Sequence, residues 1–195
     1  MTVPCPRAAH AACCNDNLQM VVYGGSTGSK HNSIILGGML AGDELFLFDH
    51  KVKDEEANWS TWSVIPTTGK SPGKRYGHTL SFLKPFIVLF GGNTGSQPAN
   101  DTWILNLEKS PFAWSKLEIN DESVPSPRLY HAAGLCSKGN AQGMMIIFGG
   151  RDSTENPLND TWGLRRHRNG NWDWVSAPYK SEGPKNRYNV TPKYF

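Results

Sequence analysis

The stretch FIVLFGGNTG, residues Phe86–Gly95, decides the fold. Five residues with strong strand preference run directly into two adjacent glycines, Gly91 and Gly92. Glycine is used where the backbone must adopt a left-handed conformation or where another part of the backbone comes close. The stretch therefore predicts a buried strand that ends in a constrained bend, and the fold depends on whether this arrangement recurs.

The glycine pair recurs twice, since VVYGG ends at Gly25 and IIFGG ends at Gly150. Each pair follows an arginine with a histidine three positions later, and precedes an aromatic residue and then a tryptophan. The members of the three units are Arg7, His10, Phe46 and Trp62; Arg75, His78, Trp103 and Trp114; and Arg128, His131, Trp162 and Trp174. Units spaced by roughly 50 to 70 residues, each with four strand-like segments, are typical of kelch repeats in a β-propeller.

The predicted fold class is therefore all-β, an incomplete kelch β-propeller with three four-stranded blades. The strands of each blade are named A to D, and each glycine pair ends strand B. We predict blades over residues 1–65, 66–120 and 121–178, and the start of a fourth repeat or a tail over 179–195. In that last segment Val190 stands where the repeat would place its histidine.

The glycines and the tryptophans have one explanation in a propeller. Blades are twisted and stack face to face, so strand B must leave in a tight bend against the next blade, where a Cβ atom does not fit. All seven tryptophans fall in strands C and D or at their edges. There they are expected to fill the gaps between blades, rather than to bind a cofactor or stack on nucleic acid bases.

Composition excludes several classes of protein. The net charge is +3 and spread along the chain, the opening MTVPCPR has no apolar region of a signal peptide, and the longest apolar run is far too short to cross a membrane. We therefore expect a cytoplasmic or nuclear protein that binds neither membrane nor nucleic acid. The four cysteines show no metal-ligand spacing and are interpreted as small hydrophobic residues.

Two motifs have alternative interpretations. The three histidines at one repeat position either converge as metal ligands near the axis or, as we favour, form hydrogen bonds within their own blades. The basic run RRHRNGNW, Arg165–Trp172, is interpreted as the C–D hairpin of the third blade, with Asn169 and Gly170 in a type I′ turn, rather than as a nucleic-acid site. We find no nucleophile elbow and no paired carboxylates, so no catalytic residue is assigned.

The segments PRAAHAA, GKRYGHTLSF, GGRDSTENPLNDTWGL and HRNGNWDWVSAP together resemble the amino-terminal region of the protein phosphatases with kelch-like repeats of plants and apicomplexans. The resemblance covers nearly the whole chain. It implies a six-bladed propeller that precedes a metal-dependent Ser/Thr phosphatase domain binding two metal ions. The phosphatase motifs GDxHG, GDxxDRG and GNHE do not occur here, so we expect a non-catalytic fragment with no cofactor and no metal site of its own.

The resemblance also implies where partners bind. Kelch propellers commonly use the loops that lead into strand A and leave strand B, which lie on one face. The candidate partner-binding residues are Arg7, Arg75, Arg128, Ser26, Asn93, Arg151 and Asp152. Convergent arginines would grip a carboxylate or phosphate of a protein partner or phosphoprotein substrate. The alternative, which we favour slightly, is that the three strand-A arginines brace turns within their blades.

Two further classes of function would need features beyond those described so far. A kelch substrate receptor of a ubiquitin ligase, or a cytoskeletal binder, would need a further domain. An enzyme built on the propeller itself would need metal ligands around the axis, and none is found. A three-bladed arc also leaves one blade face bare at each end, and such apolar surfaces favour association. Two arcs related by a two-fold axis would close into a ring of six blades, which predicts a homodimer.

Overall fold

The computed structural model describes residues 3–17, 19–28, 39–53, 57–119 and 123–177. Over these ranges the chain forms fifteen strands and one 3₁₀ turn, Gly139–Ala141. The strands are β1 Ala11–Cys14, β2 Met20–Tyr23, β3 Ser26–Thr27, β4 Met39–Leu40, β5 Leu45–Lys53, β6 Ala57–Ile65, β7 Thr67–Thr68, β8 Thr79–Leu83, β9 Phe86–Phe90, β10 Thr102–Asn106, β11 Phe112–Lys116, β12 Ala132–Leu135, β13 Met145–Phe148, β14 Thr161–Arg166 and β15 Trp172–Ser176. The all-β prediction is confirmed. No helix in the described ranges is long and apolar enough to cross a membrane.

Three sheets have the strand order of propeller blades. The first contains β1, β2, β5 and β6, the second β8, β9, β10 and β11, and the third β12, β13, β14 and β15, and neighbouring strands are antiparallel. These strands are the predicted A to D of each blade. The short strand β7 pairs in parallel with the outer edge of β11, and β3 pairs with β4 in a separate two-stranded sheet. The predicted tail, residues 179–195, lies outside the described residues.

The glycine pairs form the predicted constrained bends. Gly91 and Gly92 have φ values of 65° and 87°, and the other two pairs are also left-handed. A Cβ on Gly91 would lie 2.8 Å from the carbonyl oxygen of Arg128 in the next blade, and one on Gly92 would lie 2.7 Å from the Cβ of His78 in its own blade. A side chain at either position would clash, so Gly91 permits the close approach of the next blade and Gly92 permits the close approach of His78 in its own blade.

The hydrophobic core lies between the blades, because successive side chains of each strand B point to opposite faces. In β9, Ile87 and Leu89 pack toward the first blade, whereas Val88 and Phe90 pack toward the third. All of these side chains are fully buried. A strand that is covered on both faces reads as a continuous apolar run, which is why FIVLF lacks the alternation of a half-exposed strand.

Two strand-D tryptophans, Trp114 and Trp174, fill gaps between blades as predicted. The ring centroid of Trp114 lies 5.6 Å from that of Tyr23 in the preceding blade, and Trp174 lies 4.8 Å from Phe90 in the same relation. Trp62 holds the same position in the first blade and packs within that blade on Phe48, at 4.9 Å. The side chain of Trp59 lies outside the described part.

The C–D hairpin of the third blade forms, but with a turn different from the predicted one. The amide of Gly170 donates to the carbonyl of His167 at 2.9 Å, and Gly170 has a φ of 92° whereas Asn169 is not left-handed. The type I′ prediction is therefore wrong, because that turn needs both central residues at positive φ. The loop is one residue longer than the two-residue loop of a type I′ turn. The Asn169 side chain accepts a hydrogen bond from the amide of Asn171.

Candidate interaction face

The residue after each glycine pair is paired with the segment that leads into strand A of the same blade. Ala8 and Ser26 exchange two backbone hydrogen bonds of 2.8 Å. In the second blade Tyr76 pairs with Asn93 in the same way. Leu129 pairs with Arg151 in the third blade. The predicted site positions on the two loops of each blade are thus neighbours. We call the surface formed by residues 7–9, 26, 76, 93, 130 and 151 the loop face.

Backbone hydrogen bonds join the three parts of the loop face. Gly77 donates to the carbonyl of Ala9 at 2.9 Å, and Tyr130 donates to the carbonyl of Gly77 at 2.7 Å. These three residues hold the same repeat position and all are left-handed, with φ values of 53°, 66° and 59° in chain order. Only in the second blade is the residue at this position a glycine, the residue type that indicates a left-handed backbone. Sequence reasoning therefore missed it, because alanine and tyrosine rarely adopt positive φ.

Two of the predicted partner-binding arginines are buried braces. Arg75 and Arg128 are 1% and 0% exposed. Arg75 donates to both carboxylate oxygens of Asp101 at 2.7 and 3.1 Å, and Arg128 holds Asp160 in the same way. From these positions neither guanidinium reaches a partner on the surface. The structure thus supports the alternative interpretation, in which the arginines brace turns within their blades.

Each brace includes a tryptophan of strand C. Trp103 donates from Nε1 to Asp101 at 2.6 Å, and Trp162 donates to Asp160 at 2.7 Å. Burial raises the pKa of both carboxyl groups, but the hydrogen bonds from the arginine and the tryptophan outweigh burial and hold each pKa below its ordinary value. Both carboxylates are therefore charged at neutral pH, and each neutralises a buried guanidinium.

Arg7 differs from the other two arginines. It is half-buried, donates from Nη1 to the carbonyl of Gly24 at 3.0 Å and lies over the ring of Phe46, 4.9 Å from the centroid. Among the described residues no carboxylate forms an ion pair with it. Arg7 therefore remains a candidate partner-binding residue on the loop face.

Aromatic residues that the sequence analysis did not select also lie on the loop face. The rings of Tyr76 and Tyr130 are 6.1 Å apart, and the guanidinium of Arg151 lies 5.1 Å from the centroid of Tyr130. All three side chains are partly exposed. Arg151 has one long contact with Glu155, at 3.5 Å, and so keeps donors for a ligand. A patch of two tyrosines and an arginine has the composition of an interface hot spot.

Asp152 serves its own loop. Its carboxylate accepts hydrogen bonds from the backbone amides of Thr154 and Asn156, at 2.8 and 3.0 Å, and from the hydroxyl of Thr154. The Thr154 hydroxyl is the main cause that lowers the pKa of Asp152. This candidate site residue therefore shapes the loop that follows Arg151, and its Oδ1 atom is already engaged.

Two of the three repeated histidines, His78 and His131, lie between blades, whereas His10 of the first blade is exposed. Nε2 of His131 is 2.9 Å from the hydroxyl of Thr79 in the preceding blade, and its ring packs on Phe90 at 5.2 Å. The predicted hydrogen bond within its own blade is therefore wrong. Burial lowers the pKa of His78 and of His131 to about 3, so both rings are neutral at pH 7. The described residues contain no cluster of histidine, cysteine, aspartate or glutamate side chains that could hold a metal ion.

The basic run of the C–D hairpin is largely occupied by intramolecular contacts. Arg165 forms two hydrogen bonds with Asp173, at 2.8 and 2.7 Å, and His167 lies 3.0 Å from the same carboxylate. Arg166 lies over the ring of Phe86 in the second blade, at 4.9 Å. These contacts agree with the interpretation of the run as a hairpin at a solvated edge.

Comparison with known proteins agrees with this architecture. The chain is 33% identical over 95% of its length to serine/threonine-protein phosphatase BSL2 of Arabidopsis thaliana, of which it covers 16%. It is 32% identical over 94% of its length to an F-box/kelch-repeat protein of the same plant, of which it covers 39%. It is also 33% identical over 76% of its length to Adagio protein 3 of Arabidopsis thaliana, of which it covers 22%. The chain thus spans less than half of each relative. The KLHDC2/KLHL20/DRC7 Kelch-repeats domain matches residues 1–191, and the chain belongs to this family.

Proposed function

We propose that this chain is the substrate- or regulator-binding module of a Ser/Thr protein phosphatase and that it binds protein through the loop face. The observation that carries the proposal is the patch of Tyr76, Tyr130 and Arg151. Its side chains are partly exposed, whereas the backbone beneath them is fixed by hydrogen bonds, within the blade at Tyr76 and Arg151 and between blades at Tyr130. A rigid backbone lowers the entropy cost of binding, and aromatic and arginine side chains supply most of the free energy at protein interfaces.

The similarity to phosphatase BSL2 supports the assignment to a phosphatase. In such a protein the chemistry takes place in a separate domain with two metal ions, and the kelch module positions a phosphoprotein substrate or a regulator. Arg151 is suited to a phosphate or carboxylate of that partner because its guanidinium keeps free donors. We place the protein in the cytoplasm or the nucleus.

The test compares Tyr130→Ala and Arg151→Ala with Arg168→Ala in the full-length protein. Arg168 is an exposed cation on the C–D hairpin and serves as the matched control. If the loop face positions substrates, the first two variants raise KM for a phosphoprotein about tenfold, equivalent to about 1.4 kcal/mol. Hydrolysis of p-nitrophenyl phosphate, which does not need the module, stays unchanged. Equal loss on both substrates, or loss with Arg168→Ala, contradicts the proposal.

A second candidate function is that of a substrate receptor in a ubiquitin ligase, and the F-box/kelch-repeat relative favours it. The loop face would then hold a protein for ubiquitination instead of dephosphorylation. The full-length sequence separates the two functions, because a receptor carries an F-box or similar adaptor segment where a phosphatase carries its metal-ligand motifs. A cytoskeletal binder would carry neither and would cosediment with filaments.

We further propose that the isolated chain dimerises through its terminal blade faces. Phe148 holds the position of Tyr23 and Phe90, which the tryptophan of the next blade covers, but Phe148 is only half-buried. At the other end, half-buried Trp62 holds the position of the tryptophans that cover a preceding blade. Trp62 of one copy on Phe148 of another would repeat the contact between Trp114 and Tyr23 and close a ring of six blades.

A further inference from the structure

The three strand-A arginines share one backbone environment. In each, Nε donates to a carbonyl two or three residues earlier, at 3.2 Å for Arg7, 3.1 Å for Arg75 and 3.0 Å for Arg128. In each, Nη1 donates to the carbonyl of the first glycine of the same blade's pair, at 3.0, 2.9 and 3.1 Å. The three guanidinium groups are therefore held in the same pose by the same kind of acceptor. They can be compared directly for whether a carboxylate binds their remaining N–H groups.

The remaining contacts of Arg75 and Arg128 go to one carboxylate each. In both blades Nη1 donates to one aspartate oxygen and Nη2 to the other, at distances between 2.6 and 3.1 Å. This two-point geometry matches the guanidinium fork to a carboxylate. In two blades, therefore, a guanidinium in this pose binds a carboxylate.

Among the described residues of the first blade, no carboxylate binds Arg7 in this way. When strand C of the first blade is aligned with that of the second, Glu44 takes the position of Asp101. Phe46 takes the position of Trp103, the tryptophan of the brace. Glu44 is exposed, and its Oε2 occupies the space that a Cβ on Gly42 would need, so the carboxylate is turned toward Gly42.

The loop before strand C explains why Glu44 is displaced. In the first blade, Ala41 donates to the carbonyl of Gly25, and in the second blade Ala99 donates to that of Gly92. Glu44 comes three residues after Ala41, whereas the aspartate comes two residues after Ala99. The extra residue, together with the longer side chain of glutamate, moves the carboxylate away from the arginine.

Arg7 is therefore left with unused donors. A guanidinium has five N–H groups, and those of Arg7 make contacts with the Cys5 carbonyl, the Gly24 carbonyl and, weakly, the Cys5 sulfur at 3.4 Å. Within the described ranges no acceptor engages the other N–H groups on Nη1 and Nη2, the two atoms that hold the aspartate in the other blades. The stacking on Phe46 keeps the guanidinium plane fixed while its edge stays partly exposed.

From this comparison we infer that Arg7 is a preformed carboxylate-binding site on the loop face, and that it takes an aspartate or glutamate side chain of a protein partner. The inference deepens the proposed function and rests on it for the identity of the partner. It also divides the three arginines by role, since Arg75 and Arg128 are structural and Arg7 binds a ligand. A lysine in place of Arg7 would keep the charge but lose the two-point contact.

The test is a titration of the ¹⁵N-labelled 195-residue chain with sodium formate, followed by the arginine Nε–H signals in NMR spectra. Equal concentrations of sodium chloride control for ionic strength. Arg75 and Arg128 are internal controls already bound to carboxylate, and exposed Arg168 controls for binding to any surface guanidinium. Arg7→Lys assigns the signal, and Glu44→Gln in the absence of formate shows whether Glu44 occupies the site.

We expect a saturable shift of the Arg7 signal with formate that is several times larger than the shift with chloride or the shift of Arg168, and no change at Arg75 or Arg128. Equal shifts at Arg7 and Arg168, or none at Arg7, overturn the inference. A change of the Arg7 signal in Glu44→Gln without formate also overturns it, because Glu44 is then the ligand. None of these outcomes depends on a partner protein, so the proposed function is tested separately.

Discussion

Trp174 of the third blade packs its indole on Phe90 of the second, with 4.8 Å between ring centroids, and donates from Nε1 to the hydroxyl of Thr102 at 3.2 Å. One side chain thus supplies both an apolar contact and a hydrogen bond across the blade interface. Trp174 is 2% exposed and Phe90 is fully buried. The stability of the arc depends on such contacts, because each blade alone is a single sheet with no second layer to cover it.

Trp174→Ala is expected to destabilise the chain by about 3 to 5 kcal/mol, since it leaves a cavity between two blades. Both changes are made in a chain that also carries Phe148→Asp, which removes the proposed contact of Trp62 with a second copy. Trp62→Ala is then the matched control, because Trp62 holds the same repeat position but is half-buried. Urea unfolding followed by intrinsic fluorescence measures both variants. A loss of stability in Trp62→Ala as large as that in Trp174→Ala would contradict the assignment of the core to the spaces between blades.

Gly92→Val is expected to lower stability by more than about 3 kcal/mol, because it combines positive φ with a clash against the backbone of His78. Gly69→Val separates the two causes, since Gly69 has a φ of 75° but no described atom would lie within 4 Å of a Cβ added there. It should lose only the cost of the left-handed conformation, about 1 to 2 kcal/mol. Thermal melts measure the stability of both variants. Equal losses of stability would show that the bend at Gly92 is not constrained by its neighbours.

Asp101→Asn is expected to cost about 3 to 5 kcal/mol, because it leaves the buried guanidinium of Arg75 without its counter-charge. Asp173→Asn provides the control, as its partner Arg165 is half exposed to solvent. That variant should leave the unfolding midpoint nearly unchanged. If chemical denaturation found Asp101→Asn equally harmless, Arg75 would not be a structural brace.

The buried histidines predict a loss of stability in acid. The folded pKa of His78 and of His131 is about 3, whereas an unfolded histidine titrates near 6.5. Between these values the unfolded chain binds more protons, so stability is complete above pH 6.5 and falls as the pH drops toward 3. The slope is at most about 1.4 kcal/mol per pH unit for each histidine.

His131→Gln should remove the contribution of His131 to the change of stability with pH. Glutamine keeps a side chain that can form a hydrogen bond with Thr79. Urea unfolding between about pH 7 and pH 4.5 measures the difference. The carboxylates of Asp101 and Asp160 have lowered pKa values, so they add a loss only at lower pH, as the pH falls below their unfolded values near 3.8. A slope that His131→Gln leaves intact would show that this histidine binds a proton as readily in the folded chain as in the unfolded chain.

Light scattering at tens of micromolar tests the proposed dimer. The pure 195-residue chain should have twice the monomer mass, and Phe148→Asp should convert it to a monomer by placing a charge in the apolar contact with Trp62. An Arg168→Asp variant, changed on the C–D hairpin, should remain a dimer. A well-folded wild-type monomer at this concentration would rule out closure of two arcs into one ring.

The repeat made most of the fold predictable from the sequence. Three copies of the apolar run before a glycine pair located the strands, because a doubly covered strand and a crowded bend leave clear signals in residue type. The site was less predictable. The sequence shows that Arg7, Arg75 and Arg128 share a position, but whether each finds a carboxylate depends on the loop before strand C, where one extra residue displaces Glu44.

Local conformations that depend on neighbours were also missed. Tyr130 is left-handed because its amide bonds to the carbonyl of Gly77 in another blade, which no local pattern indicates. The hydrogen bond of His131 goes to Thr79 across the same interface. Both features arise from contacts between segments far apart in the sequence, so tertiary structure and not local propensity determines them.

The hydrogen bonds from Gly77 to Ala9 and from Tyr130 to Gly77 run from main chain to main chain. The spacing of the blades at the loop face is therefore independent of the side chains that this rim displays. The side chains of Tyr76 and Arg151 can be exchanged without breaking these bonds. A single scaffold of this kind can acquire new partners by point substitution, and its recognition surface can diverge while its architecture stays the same.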